Sequence, residues 1–147
     1  MRYFEDLQVG DRFGTAEHTL TEAEIKAFAA QYDPQPFHLD EGWAQASLFG
    51  RLVASGWHTA AVSMRLMVQG EMQLDDGVIG HVVEELRWPR PVRPGDRLRV
   101  ITELAAKSEI PERPTHGRIK LRCRTFNQDG KLVQDMTANL LVARRPA

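Results

Sequence analysis

Two residues in one short stretch have the types and spacing of an acid–base couple. They are Asp33 and His38, within Tyr32-Asp33-Pro34-Gln35-Pro36-Phe37-His38-Leu39-Asp40. Imidazole titrates near neutrality and a neighbouring carboxylate tunes it, so the pair suits proton transfer. Pro34 and Pro36 restrict the backbone between them, holding the two side chains in fixed relation at low entropic cost. Further on, Phe49-Gly50-Arg51-Leu52-Val53-Ala54-Ser55-Gly56 leads into an apolar run. If Gly56 opens a helix, its free backbone N–H stands at the positive end of the helix dipole and can hold an oxyanion. An acid–base pair plus an oxyanion donor is equipment for proton transfer next to a carbonyl. The same spacing occurs in many loops, however, and Asp33 is equally able to cap or turn the backbone. Spacing alone leaves both readings open.

The elements that must position these residues are legible around them. Thr21-Glu22-Ala23-Glu24 is a capping box, and Ile25, Phe28, Ala29 and Tyr32 behind it form one apolar helical stripe. Pro34 ends that helix by pushing Asp33 out of the α region, so Asp33 sits just past a helix end. Pro36 restricts Gln35 in the same way, which predicts a stiff, non-helical loop from Asp33 through Phe37. Asp40 caps a second short helix over Glu41 to Ser47. A third helix is predicted from about Gly56 to Gln69, apolar nearly all round with Arg65 as its only formal charge. Such a helix is normally buried.

From Val78 the period becomes two. Ile119, Leu121, Cys123 and Thr125 alternate with Arg118, Lys120, Arg122 and Arg124, a strand with one buried and one solvated face. Leu132, Met136, Ala138, Leu140 and Val142 continue the pattern after a tight turn at Asp129-Gly130. Leu98, Val100, Thr102 and Leu104 make another strand after the turn Arg93-Pro94-Gly95-Asp96. Val78 to Trp88 reads as a further strand, Arg12 to Leu20 as a fifth, and Ser108 to Gly117 as a bulged or looping connection. This is an α+β domain whose antiparallel sheet must wrap the apolar helix.

The whole chain narrows the classes. A length of 147 residues suits one domain, and 42% apolar with 27% charged residues is the balance of a soluble globular protein. A net charge of −1 offers no bulk field for nucleic acid or an anionic membrane. The single Cys123 forms no intramolecular disulfide and no multi-cysteine zinc site, and it fits a reducing compartment. With no signal-like segment and no apolar run of membrane length, the protein is read as cytoplasmic.

The Asp33–Asp40 stretch resembles the signature of the MaoC-like hydratases, the family of R-specific enoyl-CoA hydratases (hydratase 2 type). Their pattern is Asp-x-Asn-Pro-(apolar)-His-x-Asp, then a Phe-rich segment leading to a helix-opening Gly. Asp33, Pro36, Phe37, His38 and Asp40 match it, and Gly56 falls at the glycine. The phrase from Leu86 to Asp96 and Asn127-Gln128-Asp129-Gly130 are also similar, so the likeness covers roughly residues 5 to 145.

What the resemblance implies is a single hotdog domain over residues 1–147, an antiparallel β-sheet of about five strands around a long central helix. It further implies a homodimer, or a higher oligomer of dimers, with an acyl tunnel near the subunit interface. Asp33 and His38 would hold one water that adds to the β-carbon of a 2-enoyl thioester while a proton goes to the α-carbon. The Gly56 N–H would hold the thioester oxygen, and Gln35, Phe37, Ser55 and Trp57 would bind substrate. The substrate would be a thioester of coenzyme A or of an acyl carrier protein, with no metal or redox cofactor required. A hotdog thioesterase and a non-catalytic acyl-thioester-binding subunit are the alternatives.

Several positions depart from the family pattern. Gln35 replaces Asn, Tyr32 replaces a small residue, and Ser55 stands where many relatives carry His. Met64 aligns with a pocket-facing serine of some relatives, and the neighbouring Ser63 should point elsewhere. Among the remaining candidates, His58 is read as a satisfied buried histidine, and Gly80-His81-Val82 as a chance likeness to a thioesterase motif. His18 and His116 are read as exposed. Trp57, Met64 and Met67 are read as core rather than tunnel, and the basic row Arg118 to Arg124 as a solvated strand face.

Overall fold

The computed structural model describes all residues, 1–147, and the capping box is formed as the sequence predicts. A short 3₁₀ turn (Phe4–Asp6) precedes β1 (Arg12–Phe13), β2 (His18–Thr19) and helix α1 (Glu22–Tyr32). Thr21 Oγ1 accepts from Glu24 N–H, and the Glu24 carboxylate accepts from Thr21 N–H. The chain then forms α2 (Pro36–Leu39), α3 (Glu41–Gln45) and the long α4 (Gly56–Gln69). Strands β3 (Ile79–Arg87), β4 (Arg97–Glu109), β5 (His116–Phe126) and β6 (Leu132–Ala143) complete it.

The result is a hotdog domain. Its antiparallel sheet runs β1-β4-β5-β6-β3, with β2 also pairing to β4. Six strands replace the expected five because the Arg12–Leu20 segment breaks into two two-residue pieces, both laid along β4. The loop expected over Ser108 to Gly117 is shorter, since β4 runs to Glu109 and β5 begins at His116. On β5 the predicted alternation holds: Ile119, Leu121, Cys123 and Thr125 are buried. On β6 a register shift at Thr125/Phe126 places Val133, not Leu132, in the core, ahead of buried Ala138, Leu140 and Val142.

The buried sheet face packs against α4 through Val62, Leu66 and Met67. Ser63 does point away from the Met64 face: its hydroxyl donates to Thr59 O at 2.8 Å and meets Thr125 Oγ1 at 2.6 Å. The expectation of a helix buried on all sides is corrected, because Trp57, Met64 and Val68 are exposed. Met64 neighbours β3, an edge strand whose Val82 and Val83 are also exposed. An apolar cavity of about 180 Å³ lies between these elements, lined by Met64, Met67, Val83, Cys123 and Met136 among others. No helix is long and apolar enough to cross a membrane.

Candidate active site

Asp33 is the C-cap of α1. Its backbone (φ −154°, ψ 66°) leaves the helix as Pro34 requires, and its N–H still donates to Ala29 O at 2.9 Å. The predicted loop then proves shorter than expected. Pro36 takes the first position of α2, where a missing N–H costs nothing and a φ near −65° is helical, so Phe37 and His38 ride on a helical turn. Asp40 closes α2 and caps α3, accepting from Trp43 N–H at 2.9 Å.

This compact turn brings His38 Nε2 to 3.2 Å from Asp33 Oδ2. His38 is 5% exposed, and its Nδ1 lies 2.7 Å from Val53 O. A carbonyl only accepts, so Nδ1 carries the proton and donates, and Nε2 is the nitrogen turned to Asp33. The acceptor is itself rigid: Leu52–Ser55 is buried and extended, tied to Glu41 Oε2, Phe37 O and Val92 O through the N–H groups of Leu52, Val53 and Ala54.

On its other side Asp33 accepts from Gln35 Nε2 at 2.6 Å. Burial works to raise the Asp33 pKa, but the Ser55 and Gln35 donors, with the His38 imidazole beside them, outweigh it and hold the carboxyl below its usual range. Ser55 Oγ is fully buried and meets no partner at hydrogen-bonding geometry, yet it stands near enough to favour the charged carboxylate. Gln35, the departure from Asn, thus uses its extra length to reach back to Asp33. Removing these donors should raise the carboxyl pKa. For a rate that needs the carboxylate, the acid limb of kcat/KM in Gln35→Leu and in Ser55→Ala moves to higher pH. A pH–rate profile measures this, and limbs coinciding with the wild type in both variants would contradict it.

His38 lines a cleft of about 420 Å³ with Phe37, Phe49, Gly56, Thr59 and Trp88 among its walls. Gly56 is the first residue of α4, and neither its N–H nor that of Trp57 has an acceptor within the protein. The cleft therefore joins an imidazole, backed by a carboxylate, to the donor end of a helix. Asp33, Gln35 and Ser55 are not among the walls of the cleft, and Asp33 adjoins it through His38. Trp57, 59% exposed, points out of the cleft onto the uncovered face of α4.

Trp88 is the residue that sequence reading missed. Its ring lies against Gly56 and packs edge-on to Trp57, with centroids 5.2 Å apart. Its indole N–H donates to the buried Gln134 Oε1 at 3.0 Å, fixing the ring over the helix start. The phrase Leu86–Asp96 had signalled family likeness without saying that its tryptophan reaches α4.

The family described as MaoC like domain matches residues 6–122. The chain belongs to the MaoC-like family. The crystal structure of a MaoC-like dehydratase from Rhodospirillum rubrum is 50% identical over 100% of both chains, with a TM-score of 0.96. An R-hydratase from Pseudomonas aeruginosa, in its unliganded form, is 28% identical over 97% of this chain and 86% of its own, with a TM-score of 0.77. The (R)-specific enoyl-CoA hydratase of Rhodospirillum rubrum is 29% identical, over 99% of this chain and 94% of its own length.

The other histidines stand apart from the cleft. His58 is buried and stacked on Phe28 at 4.5 Å, but its Nδ1 has no partner, so the satisfied histidine expected there is not what forms. Burial, opposed by Glu24 and aided by His18, holds its pKa down. His18 and His116 are half-buried rather than exposed, meeting Glu24 and Asp76 at 3.1 and 3.0 Å. The largest cleft on the molecule, about 580 Å³, lies by the chain termini and contains none of the candidate site residues.

Proposed function

We propose that this protein is a hydratase/dehydratase of 2-enoyl and 3-hydroxyacyl thioesters, with Asp33 and His38 as its acid–base pair. The observation that carries the reading is the 3.2 Å contact between His38 Nε2 and Asp33 Oδ2 at a cleft shared with the Gly56 helix start. It is supported by relatives named (R)-specific enoyl-CoA hydratase and 3-hydroxybutyryl-CoA dehydratase. A water in front of the pair donates to both acceptors. Its oxygen bonds the β-carbon, it gives up a proton to the pair, and the pair returns a proton to the α-carbon. Water is thereby added across the double bond with no net change in the enzyme. Negative charge that develops on the thioester oxygen is met by the Gly56 N–H, which the protein leaves free for it.

Phe37 would pack on the acyl group while holding His38, whose ring it meets edge-on at 4.5 Å. Gln35 and Ser55 would act through Asp33 rather than on substrate. The decisive assay is loss of the enoyl-thioester ultraviolet absorbance of a 2-enoyl-CoA. Release of free thiol from saturated acyl-CoA, with that absorbance unchanged, would instead mark a thioesterase.

A second copy of the chain is proposed to cover the exposed face of α4 and the free edge of β3. An open edge carrying Val82 and Val83, with Met64 beside it and Trp57 and Val68 exposed on the same helix, is an apolar surface next to a strand free to pair. Trp57 would then line an acyl tunnel at the interface. Sedimentation should give twice the chain mass, and Val83→Lys should give the monomer mass. A wild-type monomer at micromolar concentration would refute the dimer.

A further inference from the structure

The cleft at His38 does not end at Trp88. Past Arg90 and Pro91, which line both, a second hollow of about 490 Å³ opens on the surface. Three separate segments build it: the loop at Arg51, the β3–β4 connection around Arg93, and the β5–β6 turn from Asn127 to Lys131. Apart from Pro91, its walls are polar or charged.

Four cations, Arg51, Arg90, Arg93 and Lys131, face this hollow with no ion-pair partner in the protein, against two carboxylates, Asp96 and Asp129. Elsewhere the cations are largely spent. On the outer face of the sheet Lys120 pairs with Glu84 at 3.2 Å, Arg122 with Asp135 at 2.9 Å and Arg124 with Glu103 at 3.5 Å. Three of the four cations in that row are thus neutralised on the strand face. Within the hollow, the buried Asp96 is turned to the fold's own use: Oδ2 accepts from Arg93 N–H at 2.9 Å and Oδ1 from Gln128 Nε2 at 2.9 Å. Gln128 in turn accepts from Arg97 N–H at 3.0 Å, so the turn is tied to β4 and its lysine is held at the rim.

Unpaired guanidinium groups converging on a polar hollow match clustered phosphates, which they grip through paired N–H donors. We infer that this hollow binds the phosphorylated nucleotide end of coenzyme A, with the pantetheine arm lying across Arg90 and Pro91 into the cleft. The inference rests on the thioester reading above and deepens it by naming the carrier. A carrier protein presents one phosphodiester at its prosthetic arm, whereas coenzyme A brings a diphosphate and a further phosphate on ribose. Four cations against two carboxylates leave the hollow net positive, which fits the second.

The probe is adenosine 3′,5′-bisphosphate, followed by calorimetry, which needs no turnover. It should bind the wild type, compete with 2-enoyl-CoA, and bind more weakly as salt rises. In Arg51→Gln/Arg93→Gln/Lys131→Gln its affinity should fall by about tenfold or more, since charge-assisted contacts contribute more than neutral ones. Arg90 is left in place because it also lines the cleft. In the same variant, the ratio of kcat/KM for enoyl-CoA over the enoyl-pantetheine thioester should fall by a similar factor, with the thermal midpoint retained. Unchanged probe binding in the variant, an equal loss on both thioesters, or a wild-type preference for an enoyl carrier protein would each overturn the inference. If the probe binds as expected but no enoyl-CoA is hydrated, the nucleotide site stands and the hydratase reading falls.

Discussion

Asp33→Asn and His38→Ala should each slow hydration of a 2-enoyl-CoA by about 10²–10⁴-fold, the contribution usual for a positioned acid or base. The Asp33 change is the cleaner of the two. Asparagine keeps an oxygen for Gln35 Nε2 and stays on the α1 C-cap, so the local fold persists. What is lost is the charge, which the surrounding donors hold in place. The amide also presents N–H to His38 Nε2, taking the lone pair that a water proton would need. His38→Ala does more, because it removes the donor to Val53 O in a fully buried segment. An unsatisfied buried carbonyl costs about 1–3 kcal/mol, so this variant should melt lower as well as turn over slowly. The two effects separate by assaying well below the melting midpoint. Near-wild-type rates in both variants would remove Asp33 and His38 from the chemistry.

The parts of this site written in local rules were legible in the sequence. Thr21 and Glu24 cap α1, Pro34 stops it, and Asp33 therefore lands at its end. Asp40 starts α3 for the same kind of reason, and Gly56 to Gln69 is helical as its pattern demands. Pro36 was ambiguous, since one residue type both extends its predecessor and opens a helix. The structure uses both properties, and the resulting turn is what shortens the Asp33–His38 distance. The missing contacts are those made across the chain. Val53 fixes the imidazole from 15 positions away, and Gln134 fixes Trp88 from 46 positions away. Neither has a spacing that a one-dimensional pattern can carry. The open face of α4 was hidden for a related reason. An apolar helix says that it must be covered, and it does not say whether its own sheet or another chain does so.

Gly56→Ala should be nearly as damaging to activity as loss of the acid–base pair, and the cause would be Trp88. The proposed role of Gly56 uses its backbone N–H, which alanine also has, and alanine is the better helix former. Its backbone is not in the left-handed region that favours glycine, so conformation does not demand the residue either. Space does: a Cβ built on Gly56 would sit 2.6 Å from Trp88 Cε2 and 2.7 Å from Cδ2. The ring is not a free end that can swing aside, because its N–H is held by Gln134 and its edge by Trp57. Overpacking of this kind costs about 1–3 kcal/mol. If Trp88 yields, the wall of the cleft moves with it, and the thioester oxygen no longer meets the helix start at the proper distance. Substrate misplacement by about 1 Å is enough to lose roughly 10²-fold. The double variant Gly56→Ala/Trp88→Ala distinguishes this from damage to the helix itself. Removing the ring should restore part of the stability that the methyl removes, a non-additive coupling of about 0.5–3 kcal/mol between touching residues. Strictly additive melting shifts would show that Trp88 is not what requires a glycine there. Full activity in Gly56→Ala would show that the cleft tolerates a displaced wall.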